Sequence, residues 1–539
     1  MAIDARNSHV DCTPATRVLA SSPQSSQCWQ IMTRLRVVLI KPSKYAVDGS
    51  VERFKKGFLP NATLYHIAAL TPARIGDVPV TMHLVDEYVW QDLEYLRWLH
   101  QDRDVITLVA LVGVQSHQFH RALDLAAYAR HHGVRHCVIG GPHAMTCDTS
   151  LLQGRGVSFA MAEAELIWQQ ILDDALSGEL QPLYGRDQRW ALQLPSTVIN
   201  PPSAVELARY AIPMLGLYPV RGCPYRCNFC SVIKISGRQV RSPNIESTLE
   251  SLRRAKRGGV EMIFFVSDNF NKFPSVRVLL QAMIDERLEL PFFCQCDTQI
   301  AKDPELVELL SRAGCCEMFV GVESFNRKTL KAAGKHHNHP EQYLEIIRLC
   351  KQTGIRPHFS NIIGFPNDDE AEIQHHLDVL KSLRPTVASF FVLTPIPGTE
   401  QYDDFRKAGW ITERNLDRFD TTCPTWSHPV LSAKRLEDLL YHCYVSYCGF
   451  LLKTGGLSIQ EQRQAVFHRY TAAQRIHPMS GGFDRLRVDT AADYAALRRA
   501  AYDIDLAPLP DSLSLSASDD ALNRRLDWRV ERPAEQATP

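Results

Sequence analysis

The chain has 539 residues, with 60 Lys and Arg against 60 Asp and Glu, and is 45% hydrophobic and 22% charged. That is a globular composition with material for more than one core, about three or four domains' worth of sequence. The balanced charge advertises no nucleic-acid or membrane-surface partner, and no apolar run reaches the ~18–20 residues that span a bilayer.

The N-terminus lacks the charged-then-apolar layout of a signal peptide. Fifteen cysteines, an odd number scattered through a long chain, do not describe a disulfide framework. Reduced thiols in a cytoplasmic protein, some of them metal ligands, fit better.

Residues 1–33 are rich in Ser, Thr, Gln and Asp and read as disordered. A first α/β region, 34–180, opens with the strand LRVVLIKPS (35–43) and continues through TMHLVDEY (81–88), VITLVALVGV (105–114) and VRHCVIGGPH (134–143). Between the last two, FHRALDLAAYARHHG repeats apolar residues at helical spacing and stops at Gly133. AEAELIWQQILDDALSG (162–178) is a closing amphipathic helix. Strands alternating with helices predict a doubly wound parallel sheet. Residues 181–212, with Pro182, Pro195, Pro201 and Pro202, read as a linker.

A second region, 213–404, has strands at LYPVRG (217–222), EMIFFVSD (261–268), FFCQCD (292–297), EMFVGVES (317–324), PHFSNIIG (357–364) and ASFFVLTP (388–395). Amphipathic helical stretches separate them, several ending in Gly. Six such units in series predict an incomplete (β/α)6 barrel, whose chemistry sits at the carboxyl ends of its strands. A helical region (405–504) follows, with AKRLEDLLYHCYVSYCGFLLK (433–453) as its clearest element, then a loose Ser-, Asp- and Pro-rich tail (505–539).

RGCPYRCNFCSV (221–232) follows the first strand of the second region and carries Cys223, Cys227 and Cys230. Thiolates select zinc, copper(I) or iron–sulfur clusters. Structural zinc calls for four ligands, usually from two C-x-x-C knuckles. The nearest other thiols, Cys294 and Cys296, lie on a different predicted strand. Three thiolates on a [4Fe–4S] cubane leave one iron open to a cosubstrate. Zinc remains the alternative.

CPYRCNFC resembles the signature of the radical S-adenosylmethionine (SAM) superfamily. That resemblance implies Cys223, Cys227 and Cys230 as cluster ligands, with Phe229 in the same motif beside the cofactors. It also implies SAM on the open iron and cleavage to a 5′-deoxyadenosyl radical. FFVSDNF (264–270) is similar to the segment after the second strand and nominates Asp268 and Asn269 beside SAM, with helix capping as their alternative. GVES (321–324) nominates Glu323, whose alternative is a solvated strand-end carboxylate. NIIGFPNDDE (361–370) and LTPIPGT (393–399) match later strand ends in the same order. Gln295 and Asp297 share a strand face and are further pocket candidates.

A doubly wound domain before such a barrel resembles the cobalamin-binding subclass, and specifically its methyltransferases. VIGGPHAM (138–145) implies Gly140 and Gly141 at a strand end as cobalamin contacts, and VSFAMAEAEL (157–166) implies Glu163. Ala162 stands where relatives usually have Gly, Glu165 is retained, and no D-x-H-x-x-G motif is present. His117, His120 and His143 could each approach a corrin but read better as loop or helix-surface residues, and KHHNHP (335–340) reads as an exposed loop with Pro340 starting the next helix.

The expectation is a cytoplasmic, cobalamin-dependent enzyme that methylates a small-molecule, lipid or peptide substrate by way of methylcobalamin. An electron donor such as flavodoxin or ferredoxin would reduce the cluster, and both cofactors would face one cavity between the domains. A non-methylating radical reaction and a non-catalytic sensor are the competing readings.

Overall fold

The computed structural model describes residues 34–455 except 46–50, 55, 58, 59, 91 and 414. The predicted disordered N-terminus (1–33), the tail (505–539) and the predicted helical stretch from 456 to 504 lie outside the described residues.

The first region forms a seven-stranded sheet from β1 (Arg34–Lys41), β2 (Arg74–Ile75), β3 (Val78–Asp86), β4 (Val105–Leu111), β5 (His136–Gly140), β6 (Ser158–Ala160) and β7 (Leu183–Tyr184), in the order β2-β3-β1-β4-β5-β6-β7. Every pairing is parallel except the short antiparallel one between β2 and β3. Leu35, Val37 and Leu39 pack on one face and Val38 and Ile40 on the other. Burial on both faces is why β1 reads as a continuous apolar run rather than an alternating one. The Ala62–Leu70 and Ala164–Ser177 helices cover the first face through Leu64, Ile67, Ile167 and Ile171; the Phe119–His131 helix covers the second.

The second region is a six-stranded sheet, all parallel and in chain order: β8 (Met214–Leu217), β9 (Met262–Phe265), β10 (Phe292–Cys296), β11 (Cys315–Glu323), β12 (Arg356–Ile363) and β13 (Val387–Val392). Its crossover helices bury Leu252, Leu279, Leu310, Ile347 and Leu377 against one face. The other face carries Phe264, Phe293, Phe319 and His358 in ring contact. The Ala433–Thr454 helix packs on β13, where Tyr444 and Tyr447 donate to the carbonyls of Phe390 (2.9 Å) and Pro385 (2.6 Å). Among the described residues no helix is long and apolar enough to cross a membrane.

The structure departs from the sequence reading at several places. The first strand of the second region is Met214–Leu217 rather than 217–222. Residues 408–432, predicted helical, hold among the described residues only the short Leu416–Arg418 3-10 turn. The 181–212 segment contributes β7 to the first sheet, and Ser203 caps a short Ala204–Leu207 helix through a capping box. Its prolines confine it to the ends of these elements without freeing it from the core. KHHNHP is not an exposed loop, because Lys335 and Asn338 are buried. Asn338 donates to the Gly321 and Val322 carbonyls at 2.9 Å each, replacing a helix or sheet partner for those groups. His120 and His143 are also buried and not on the surface, each only 2% exposed. His120 faces Asp417 at 3.3 Å, and His143 bonds Ser116 (3.0 Å) and stacks on Phe119.

The carboxyl edges of the two sheets oppose one another. After β5, the Thr146 hydroxyl donates to the Pro397 carbonyl beyond β13 (3.3 Å). Gly398 is held so close to Thr146 that an added Cβ would stand 2.5 Å from it. After β1, Lys44 pairs with Asp420. After β6, Glu163 and Glu165 reach Arg241 and Arg221 beyond β8.

Candidate functional site

The three-cysteine loop leaves the carboxyl end of β8 and is tied down on both sides. Arg221 and Arg241 exchange backbone hydrogen bonds at 2.9 Å each, and the Cys223 amide donates to the Gly237 carbonyl at 3.1 Å. Between them Gly222 has φ +95°, and a Cβ there would stand 2.1 Å from the Gln239 carbonyl oxygen, so only glycine fits. On the far side, the amide and side chain of Asn228 donate to the carbonyls of Ala333 and Ala332, both at 3.1 Å. The Gln401 amide in turn donates to the Asn228 carbonyl at 3.0 Å. Phe229 anchors the loop in an apolar cluster with Phe365, Leu393, Phe405 and Trp426.

Burial pushes the Cys223 thiol up to about 11 and Cys230 to about 12, and raises Cys227 as well. Cys223 feels Cys227, and Cys230 feels both Cys227 and Cys223, so the three share one site. Among the described residues no three His, Cys, Asp or Glu side chains converge to hold a single ion. Tetrahedral zinc requires such convergence. A cubane does not, since each thiolate binds a different iron. The donor set therefore fits a [4Fe–4S] cluster, and its loading would expel thiol protons.

Around the thiols stand the side chains nominated by the sequence. Asn269 donates from Nδ2 to Cys223 Sγ at 3.0 Å and does not cap the short helix that follows it. Burial pushes the Asp268 carboxyl up to about 6, with Arg221 pulling the other way. Glu323 ends β11 in a left-handed conformation, φ +61°, an unfavourable geometry of the kind found at functional sites. It is buried and not solvated, accepting from Lys335 Nζ at 2.6 Å and from Ser360 Oγ at 3.2 Å. Burial opposes the Lys335 ammonium, but Glu323 and Cys227 more than reverse this and raise its pKa. A Cβ on Gly321 would stand 2.6 Å from Glu323 Oε1, so that glycine makes room for the pair.

Asp297 is buried, bonds Asn271 (3.0 Å) and caps its own turn. Burial and the neighbouring Asp297 raise the pKa of Tyr225, whose ring stacks on His337 with centroids 3.5 Å apart. Gln295 is half-buried on β10, beside Phe319 of β11. Lys335, Tyr225, Arg221 and Arg241 were not singled out from sequence. The first lay in a stretch read as loop; the arginines carried one signal, a charge opposite to the Glu-x-Glu turn they meet.

The glycines and acid of the first domain have local occupations. At φ +123°, a Cβ on Gly141 would stand 2.2 Å from the Val114 amide nitrogen. The Val114 amide donates to the Gly140 carbonyl and the His143 amide to Val114, both at 2.9 Å. Gly141 thus answers first to the meeting of two loops at the sheet edge, and its hydrogen leaves no cradle. Glu163 Oε2 accepts from Arg241 (2.7 Å) and the Ala191 amide (2.7 Å), and Oε1 from Arg241 (2.9 Å). Arg221 is a second partner for Oε1 at 3.4 Å. Glu165 meets Arg221 at 2.8 Å and His66 at 2.7 Å. Beside this network is a cavity lined by His66, Glu165, Tyr218, Arg221, Thr248 and Ser251, and by none of the cysteines. His117 is half-buried, and burial with Lys44 pushes its pKa down to about 3, so its ring is neutral.

Residues 217–380, which contain the cysteine loop and β9 to β12, match the family model of the radical SAM superfamily. The chain carries a radical SAM domain.

Two curated relatives extend beyond the radical SAM domain. Bacteriochlorophyllide d C-8(2)-methyltransferase of Chlorobaculum tepidum is 24% identical over 405 residues, 70% of this chain and 83% of that protein. Hopanoid C-2 methylase of Rhodopseudomonas palustris is 24% identical over 404 residues, 71% of this chain and 72% of that protein. In solved structures, the fold is similar to that of the radical SAM methyltransferase TsrM from Kitasatospora setae, determined with cobalamin and a [4Fe-4S] cluster bound. The TM-score is 0.56 at 17% identity, over 70% of this chain and 78% of that one. It is likewise similar to the cobalamin-dependent radical enzyme OxsB, determined with aqua-cobalamin and SAM bound, at a TM-score of 0.56 and 14% identity over 93% of this chain and 79% of that one.

Proposed function

We propose that this protein is a cobalamin-dependent radical SAM methyltransferase acting on an unactivated carbon of a small-molecule, lipid or peptide substrate. In this reading the second sheet is an open (β/α)6 barrel and the first domain holds the corrinoid. The observation that carries it is the opposition of the two carboxyl edges, since ligands of both sheet types bind at those edges. A corrinoid over the first edge and a cluster over the second would face a common space, bounded by Thr146 and Pro397 on one side and by Glu165 and Arg221 on another.

When bound, the cluster would supply the electron that cleaves SAM, and the corrinoid would carry the methyl group. The chain's own residues bind and orient. Cys223, Cys227 and Cys230 would hold three irons, and Asn269 would keep its hydrogen bond to the first sulfur. Lys335 and Glu323 form a buried charge pair near Cys227 and would meet the amino and carboxylate groups of SAM. The loops that meet at Thr146 and Pro397 would help to exclude water from the radical chemistry. A low-potential carrier such as flavodoxin or ferredoxin would deliver electrons.

Fit to cobalamin is positional. Gly140, Gly141 and Glu163 lie at the carboxyl edge of the first sheet, where Gly141 and Glu163 are engaged within the protein.

The test is anaerobic reconstitution of the whole chain with iron, sulfide and hydroxocobalamin, then dithionite and SAM. The expected result is 5′-deoxyadenosine from the native chain and none from Cys223→Ala, Cys227→Ala or Cys230→Ala, each of which also loses iron. With a substrate in hand, product mass rises by one methylene. A native chain that binds no cluster or releases no 5′-deoxyadenosine overturns the reading. Deoxyadenosine with a product lacking the methylene favours a non-methylating radical reaction instead.

A further inference from the structure

We propose that Glu163 and Glu165 are positioning residues for the cluster loop: a carboxylate pair on the first domain that fixes, through Arg241 and Arg221, where the three thiols stand. This rests on the cluster assignment above but not on the corrinoid.

Glu163 directly precedes the Ala164–Ser177 helix, where an acid would ordinarily cap its own helix. It makes no such side-chain bond. Instead its carboxylate crosses to the second region and grips Arg241 with both oxygens, at 2.7 and 2.9 Å. Two parallel N–H···O bonds fix orientation as well as distance. Arg241 also donates to the carbonyls of Ser236 and Ala191, each at 2.6 Å. Its side chain thereby folds the 236–241 segment into shape. Next in that segment is Gly237, whose carbonyl accepts the Cys223 amide at 3.1 Å.

Glu165 works from the other side. It holds Arg221, two residues before Cys223, at 2.8 Å, and His66 at 2.7 Å. Because Arg221 and Arg241 are also paired through their backbones, the two acids close one rigid frame around the root of the loop. The frame is dry: Glu163 is 7% and Arg241 6% exposed. In such surroundings an ion pair resists displacement, and losing one partner leaves an uncompensated charge.

Two competing roles predict different things. General glue between domains would lower overall stability and leave the cluster unchanged. Contact with the corrinoid would weaken cobalamin binding alone. A positioning role alters the cluster itself.

The experiment uses the full chain, anaerobically reconstituted with iron and sulfide. It compares the native protein with Glu163→Gln, Arg241→Met, the double variant, Glu165→Gln and the conservative Glu163→Asp. Iron release to a chelator, the electron paramagnetic resonance signal of the dithionite-reduced cluster, circular dichroism and hydroxocobalamin affinity are measured on each.

We expect Glu163→Gln and Arg241→Met each to accelerate iron release about tenfold and to shift the resonance signal, with native circular dichroism. The double variant should be no worse than either single one, and Glu163→Asp should recover most of the native rate. Glu165→Gln should act in the same direction and supplies the comparison if Glu163→Gln does not fold. Variants that keep the native iron-release rate and signal overturn the proposal, whether or not they melt earlier. So does a fall in hydroxocobalamin affinity with the cluster untouched. A native chain that assembles no cluster sinks the preceding reading instead.

Discussion

Cys223 and Cys230 are half-buried, and desolvation raises their thiols to about 11 and about 12, so both are neutral at neutral pH in the metal-free chain. Beside them stands the Lys335–Glu323 pair, with both side chains only 10% exposed. Removing one partner of such a pair costs more than the pair contributes, because the survivor is left without water or counter-ion. Lys335→Met is expected to destabilise the chain by roughly 3 kcal/mol. Guanidinium denaturation of the metal-free protein checks this, and a loss below a few tenths would show that Glu323 finds another partner. The cysteine spacing and the acid of GVES were legible in the sequence because their chemistry is local. Lys335 was not. It lies twelve residues after Glu323 in a stretch without helical or strand period, and only the fold of the 332–338 turn returns it to the site.

At the scale of elements, the carboxyl ends of the strands are shaped by close approaches between loops. Gly141 lets the loop after β5 lie against the loop after β4. Alanine there meets both a left-handed backbone and a methyl 2.2 Å from the Val114 nitrogen. Neither neighbour is the free end of a side chain, so the backbone must move. Gly141→Ala is expected to cost about 2–3 kcal/mol and lower the melting temperature by several degrees, read by calorimetry. An unchanged melting temperature would mean that the loop relaxes freely and that the glycine serves a ligand instead. The Gly-Gly pair was visible as a backbone demand, but sequence alone does not say whether ligand or chain makes it. The β7 strand was missed for a related reason: two residues among prolines have no period to detect, and pairing with β6 supplies what propensity does not.

For the whole molecule, the first sheet meets the segment beyond β13 through Lys44 and Asp420, buried at 15% and 12% side-chain exposure. Burial works against the Asp420 carboxylate, but Lys44 overrides it and holds the pKa at about 2. A folded-state value below the unfolded one, about 3.9, means the contribution is complete above that value and is lost as pH falls toward 2. Asp420→Asn is expected to lower stability at neutral pH by roughly 3 kcal/mol and to flatten the acid limb. Denaturation midpoints at neutral and acid pH test it, and an acid limb as steep as the native one would assign the sensitivity to other groups.

The sequence by itself determined the parallel strand–helix alternation, the three-thiol loop and the order of the strand-end segments, because each follows from short-range period or from chemistry within a few residues. Only the tertiary structure decided that Glu163 and Glu165 meet Arg241 and Arg221, that Lys335 is a buried partner of Glu323, and that two carboxyl edges confront each other. Charge pairs between residues dozens apart leave no periodic trace. They exist only where packed sheets exclude water and bring the two signs together.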